Sequence, residues 1–97
     1  MRRAAKVDAN QQLIVGALRA CGCSVQELSA VGKGVPDLLV GHRGRNLLIE
    51  VKDGSKVPSK RALTPDQVEW HGDWRGQVVV VETVEQALAL VAAREAA

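Results

Sequence analysis

Asp37, Glu50 and Lys52 put two carboxylates and an ammonium group into one short stretch of this 97-residue chain. Each acid adjoins an apolar run, Leu38-Leu39-Val40 and Leu47-Leu48-Ile49. The segment between them, Gly41-His42-Arg43-Gly44-Arg45-Asn46, has the composition and length of a hairpin connection. A hairpin symmetric about Arg43-Gly44 sets Leu39 opposite Leu48 and Asp37 opposite Glu50. Directly opposed residues have Cβ atoms about 4.5–5.5 Å apart, a distance at which like charges repel. A divalent cation supplies the compensation. Strand alternation places Lys52 on the face of Glu50, roughly 7 Å further along. Two acids hold a hard cation such as Mg²⁺ or Mn²⁺ through oxygen and leave positions for water and a phosphate oxygen. The lysine is then placed to orient the attacking water or to stabilise transition-state charge. The chemistry indicated is metal-dependent phosphodiester hydrolysis. A simpler account makes the acids surface groups at strand ends and Lys52 their salt-bridge partner. Burial beside the apolar runs argues against it, because buried acids need partners.

The elements that must position these groups follow from periodicity. Residues 8–21 read as a helix with Ile14, Ala17, Leu18 and Cys21 on one face, a capping box from Asp8 to Gln11, and Gly22 as its stop. Ser24 to Ala30 is expected to be the first strand, and residues 35–52 the hairpin. Asp53 to Leu63 is polar, basic and glycine- and proline-containing, a mobile loop beside the site. Thr64-Pro65-Asp66-Gln67 opens a second helix running towards Trp74, with Thr64 as N-cap and Gln67 at N3. Gln77 to Val81 is a continuous β-branched run, expected to be buried on both faces in a central or parallel position. Thr83 caps a last helix with Val84, Ala87, Leu88 and Val91 inward; Leu90 lies off that face, available to a dimer interface. The order αβββαβα describes one small α/β domain with a mixed sheet and helices packed on it.

Ninety-seven residues without Phe or Tyr leave a thin core of Val, Leu, Ile and Ala. A subunit interface would reinforce it. No stretch reaches the roughly 18 unbroken apolar residues of a membrane span, and Met1-Arg2-Arg3 is not followed by an apolar signal segment. A soluble cytoplasmic protein without membrane association is expected. Cys21 and Cys23 lack the spacing and neighbours of a zinc site and read as small hydrophobes. The net charge of +2 is unevenly spread. Residues 33–61 carry seven bases and three acids, whereas residues 62–97 carry two bases and six acids. The positive surplus surrounds Asp37 and Glu50, as a polyanionic substrate requires.

Pro36-Asp37, twelve residues, and then Glu50-Val51-Lys52 is similar to the PD-(D/E)xK nuclease motif. That motif is short enough to recur by chance, but its surroundings extend it. Gly34 to Val40, Leu48 to Gly54, and Leu63-Thr64-Pro65-Asp66-Gln67-Val68-Glu69-Trp70 together resemble the VRR-NUC branch, in the compact stand-alone form found in phages and prophages. The likeness runs from Asp8 to about Ala92. It implies a restriction-endonuclease-like fold; a single domain over residues 1–97 is expected, with 1–7 as a flexible basic arm. It also implies the Val51 carbonyl as a third metal ligand and a site role for Gln67, whose place a capping box also explains. Stand-alone members resembling this chain act as dimers on four-way (Holliday) junctions, so branched DNA and a homodimer are the expected partners.

The superfamily usually adds an acid from its first helix, and here the chain departs from it. Asn10 and Gln11 continue the face of Ile14 one turn earlier, and neither is acidic. Asn10 is the expected contributor, with Asp8 or Gln11 as substitutes. His42 and His71 read as structural or exposed, and Trp70 and Trp74, four apart, as core or dimer contacts. Lys33, Arg43, Arg45, Lys56, Lys60 and Arg61 are candidates for holding DNA phosphates, which gives salt-dependent affinity with little sequence specificity. The reading is a Mg²⁺- or Mn²⁺-dependent DNA endonuclease, structure-selective on branched DNA. A catalytically silent nucleic-acid binding module is the alternative. A sequence-specific restriction enzyme is disfavoured, since the chain has no sizeable recognition insertion.

Overall fold

The computed structural model describes residues 8–93, so the basic arm expected at 1–7 lies outside the described residues. The chain folds as α1 (Ala9–Ala20), β1 (Ser24–Glu27), β2 (Leu38–His42), β3 (Arg45–Val51), α2 (Pro58–Arg61), α3 (Pro65–Asp73), β4 (Val78–Val81) and α4 (Val84–Ala92). It is an α/β fold in which helices flank a four-stranded mixed sheet of order β1-β2-β3-β4. The first three strands are antiparallel, and β4 runs parallel to β3.

The hairpin register is the one expected from the sequence: Leu38 pairs with Ile49 and Leu39 with Leu48. Pairing extends to His42 and Arg45, so the connection is only Arg43-Gly44, both at positive φ (51° and 78°). That is a two-residue turn of the I′ kind, whose twist matches the strands it joins. Inward-facing alternation places Leu38, Val40, Leu47, Ile49 and Val51 in the core with Ile14, Val15 and Leu18 of α1 and Ala87 and Val91 of α4. The opposite face of β2 and β3 carries Leu39, Leu48 and Glu50.

Capping fixes the helix starts. Asp8 accepts from the Gln11 amide, Thr83 from that of Gln86, and Thr64 forms a complete capping box with Gln67. The Gln11 side chain does not reach back to its cap, because it bonds Ser29 instead.

Several expectations need correction. β1 stops at Glu27, although Leu28 still donates to the Asp37 carbonyl at 2.7 Å. The expected loop at 53–63 contains the short helix α2, started by Pro58. β4 is parallel as expected but lies at the sheet edge, and only Val81 is fully buried. A run of β-branched residues does not distinguish a strand covered on two faces from one covered on a single face. Leu90 packs against the core cluster, where a dimer surface was anticipated. No helix among the described residues is long and apolar enough to cross a membrane.

Candidate active site

The carboxylate pair forms where the β2–β3 ladder stops. By continuation of the register Pro36 stands opposite Val51, and proline has no N–H to give the Val51 carbonyl. The Val51 amide turns to the Asp37 side chain, donating to Oδ2 at 2.8 Å. Asp37 Oδ1 accepts from the Ser29 hydroxyl at 3.2 Å. Asp37 is thereby held from two sides.

Glu50 is 2% exposed. Gln67 Nε2 donates to its Oε2 at 3.2 Å, whereas Oε1 is buried without a hydrogen-bond partner. Burial first, then the hydrogen bond and charge of Asp37, push its pKa from an ordinary 4.5 up to about 9, with Lys52 opposing. Without a cation Glu50 therefore keeps its proton at neutral pH. This is the signature of two carboxylates sharing a desolvated site. The pair fits a hard divalent cation, which would replace that proton and satisfy the stranded oxygen.

Lys52 Nζ donates to Gln67 Oε1 at 2.7 Å, and the same oxygen accepts from the Thr64 amide at 2.9 Å. One glutamine thus caps α3, holds the lysine and touches the glutamate; its capping and site positions coincide. His71, one turn later, sets Nε2 at 3.9 Å from Glu50 Oε1. Burial and then Lys52 lower its pKa, so the ring is neutral and the contact is not an ion pair. No residue pattern marks this approach, because it depends on where α3 sits relative to Glu50.

A cleft of about 470 Å³ opens on these groups, lined by Asp8, Gln11, Asp37, Glu50, Val51, Lys52, Asp53, Lys56, Lys60 and Gln67. Asn10 is not among them. Its amide donates to the carbonyls of Lys52 (2.8 Å) and Glu82 (3.1 Å), tying α1 to the ends of β3 and β4. Gln11 takes the position anticipated for Asn10: it is 4% exposed and its Nε2 donates to Ser29 Oγ at 3.0 Å. Ser29, unnoticed in the sequence, links α1 to Asp37.

The basic residues divide. Lys56 and Lys60 line the cleft. Arg61 pairs with Glu82 at 3.3 Å. Arg43 and Arg45 sit at the hairpin turn, the far end of β2 and β3 from Glu50. Arg45 donates to the carbonyls of Val91 and Ala93, so it closes the C-terminus of α4. Lys33 lines a separate cleft with Asp66, Glu69 and Asp73, whose charge disfavours phosphate. Trp70 and Trp74 stack on each other, ring centroids 4.7 Å apart, with Trp74 46% exposed. His42 approaches Cys23 Sγ at 3.5 Å, away from the cleft.

A solved structure described as a VRR_NUC domain superposes with a TM-score of 0.61 at 33% identity, over 84% of this chain and 88% of that one. The chain belongs to the VRR-NUC family. No family model matches the sequence, and no curated protein does. Membership makes this a nuclease-type domain. In this VRR-NUC chain Asp37 is the residue preceding β2, Glu50 lies on β3 and Lys52 directly follows it, while α3 brings glutamine and histidine to the same carboxylate. Among the described residues no three His, Cys, Asp or Glu side chains cluster as a metal set. Any cation here would rest on two carboxylates completed by backbone or water oxygen.

Proposed function

We propose that this VRR-NUC domain is a metal-dependent DNA endonuclease of the PD-(D/E)xK type. The supporting observation is Glu50, buried beside Asp37 with one carboxylate oxygen unpartnered. A carboxyl group so placed costs stability unless a cation or proton completes it. Asp37 and Glu50 would hold Mg²⁺ or Mn²⁺, with the Val51 carbonyl as a further ligand. Bound there, the cation supplies Lewis-acid polarisation of the phosphate and makes a water more acidic.

The protein's own groups do the rest. Lys52, fixed by Gln67 at 2.7 Å, presents its ammonium to charge developing on the phosphate. Lys56 and Lys60 line the cleft and engage neighbouring backbone phosphates. Water adds to phosphorus, the bond to one deoxyribose oxygen breaks, that oxygen leaves as a hydroxyl with a proton from the water, and a nicked strand ending in a phosphate results.

The substrate proposed is branched DNA, the four-way junction above all, cut by a homodimer. One cleft cuts one strand, and a twofold pair presents two clefts to a twofold substrate. Leu39 and Val80 are 38% and 39% exposed on the sheet face away from the core, and with Trp74 they offer a second copy an apolar surface. The test is cleavage of labelled junction, flap and linear duplex in Mg²⁺, Mn²⁺ or EDTA, with sedimentation on the same samples. Symmetric nicks in the junction, lost in EDTA and in Asp37→Ala, are expected. Junction binding without cutting in any metal would instead indicate a binding module.

A further inference from the structure

α3 approaches Glu50 twice. Gln67 and His71 are four residues apart, hence neighbours on one helix face, and each directs a nitrogen at a different carboxylate oxygen. Gln67 Nε2 reaches Oε2 at 3.2 Å; His71 Nε2 stands 3.9 Å from Oε1. Both members of the second pair are buried and otherwise without partners. Buried polar atoms are nearly always satisfied in native proteins, so two orphans facing each other call for an explanation. A cation held by Glu50 accounts for the carboxylate oxygen but not for the imidazole nitrogen, since His71 is not among the residues lining the cleft from which water and phosphate enter. A small movement of the imidazole does. With a proton on Nε2, the ring then donates to Oε1.

We propose that His71 is a positioning residue for the cation site: with Gln67 it clamps the Glu50 carboxylate from α3 and fixes the orientation in which that carboxylate meets the metal. This rests on the reading of Asp37 and Glu50 as the cation ligands. Partners of this outer kind typically contribute 10–100-fold to metal affinity. His71 touches neither substrate nor metal, so its effect is on binding of the ion.

Mn²⁺ titration followed by electron paramagnetic resonance, with thermal melts in EDTA alongside, separates the possibilities. Four proteins are compared: wild type, His71→Gln, His71→Asn and Glu50→Gln. A glutamine amide reaches the place of Nε2, whereas an asparagine amide reaches only that of Nδ1. His71→Asn is expected to lose about 10–100-fold in Mn²⁺ affinity, with His71→Gln restored close to wild type. Equal affinity in His71→Asn and wild type overturns the proposal. So does equal loss in both His71 variants accompanied by equal lowering of the melting temperature, which is the behaviour of a purely structural ring. If Glu50→Gln binds Mn²⁺ as wild type does, the cation-site reading itself fails, a result distinct from either of these.

Discussion

The Asp37 carboxylate accepts the Val51 amide at 2.8 Å, at the point where the β2–β3 ladder meets Pro36. A proline that cannot continue the sheet and an aspartate that takes over one of its hydrogen bonds are adjacent in sequence. The first carboxylate is thus built into the end of the sheet. The second is held by side chains of a separate helix. This asymmetry makes Glu50 the member whose state responds to its surroundings.

In EDTA, stability should fall as pH rises. Glu50 has its folded pKa near 9 against an ordinary 4.5, so the native state holds the extra proton between these values. Its contribution is intact below about pH 4.5 and is lost as pH climbs through 9, at up to about 1.4 kcal/mol per pH unit. Glu50→Gln removes this dependence and raises metal-free stability at pH 8 by about 1–3 kcal/mol. Urea unfolding at pH 6, 7 and 8 checks it. A wild-type protein that gains stability over that range relative to Glu50→Gln contradicts the assignment.

Lys52→Ala should lower single-turnover cleavage about 10²–10³-fold, the usual cost of deleting one preorganised donor to transition-state charge. Junction affinity should change little, because Lys56 and Lys60 remain in the cleft. Equal losses in binding and in cleavage would reassign Lys52 to simple phosphate contact.

Salt dependence separates bases that meet DNA from bases that meet protein. Lys60→Ala should reduce the slope of log affinity against log salt by about one. Arg45→Ala should leave the slope unchanged and cost about 0.3–1 kcal/mol of stability, because its guanidinium closes the end of α4. Binding of labelled junction across a salt series measures the first effect, and urea unfolding the second.

The two neighbours on α1 should behave oppositely. Asn10→Ala removes donors to the Lys52 and Glu82 carbonyls and should cost about 1–3 kcal/mol. Gln11→Glu puts a third acid into the cleft; Mn²⁺ affinity should rise while metal-free stability falls. Calorimetric titration and thermal melts in EDTA report the two quantities for each variant.

The hairpin was legible because three signals agreed: two apolar runs, a glycine in the turn-like segment between them, and acids at matching distances from it. The same agreement set Asp37 against Glu50. Capping chemistry marked where α1, α3 and α4 begin. What stayed hidden depended on distant partners. Asn10 and Gln11 share a helix face in sequence terms, and only the positions of Ser29, Lys52 and Glu82 decide which one looks into the cleft. Arg45 reads as one more base in a basic segment until α4 is seen to end beside it. The valine run of β4 carries no periodicity that reveals an uncovered face.

α3 contains no fully buried residue, yet Gln67 holds both Glu50 and Lys52. Its backbone is reached at Asp66 by Gly34, at φ +84°, in an approach that leaves no room for a side chain. A helix attached so lightly opens at a lower free energy than the sheet beneath it. Heating or mild denaturant should therefore silence the enzyme while it still looks folded, and amide hydrogens of α3 should exchange well before those of β2 and β3.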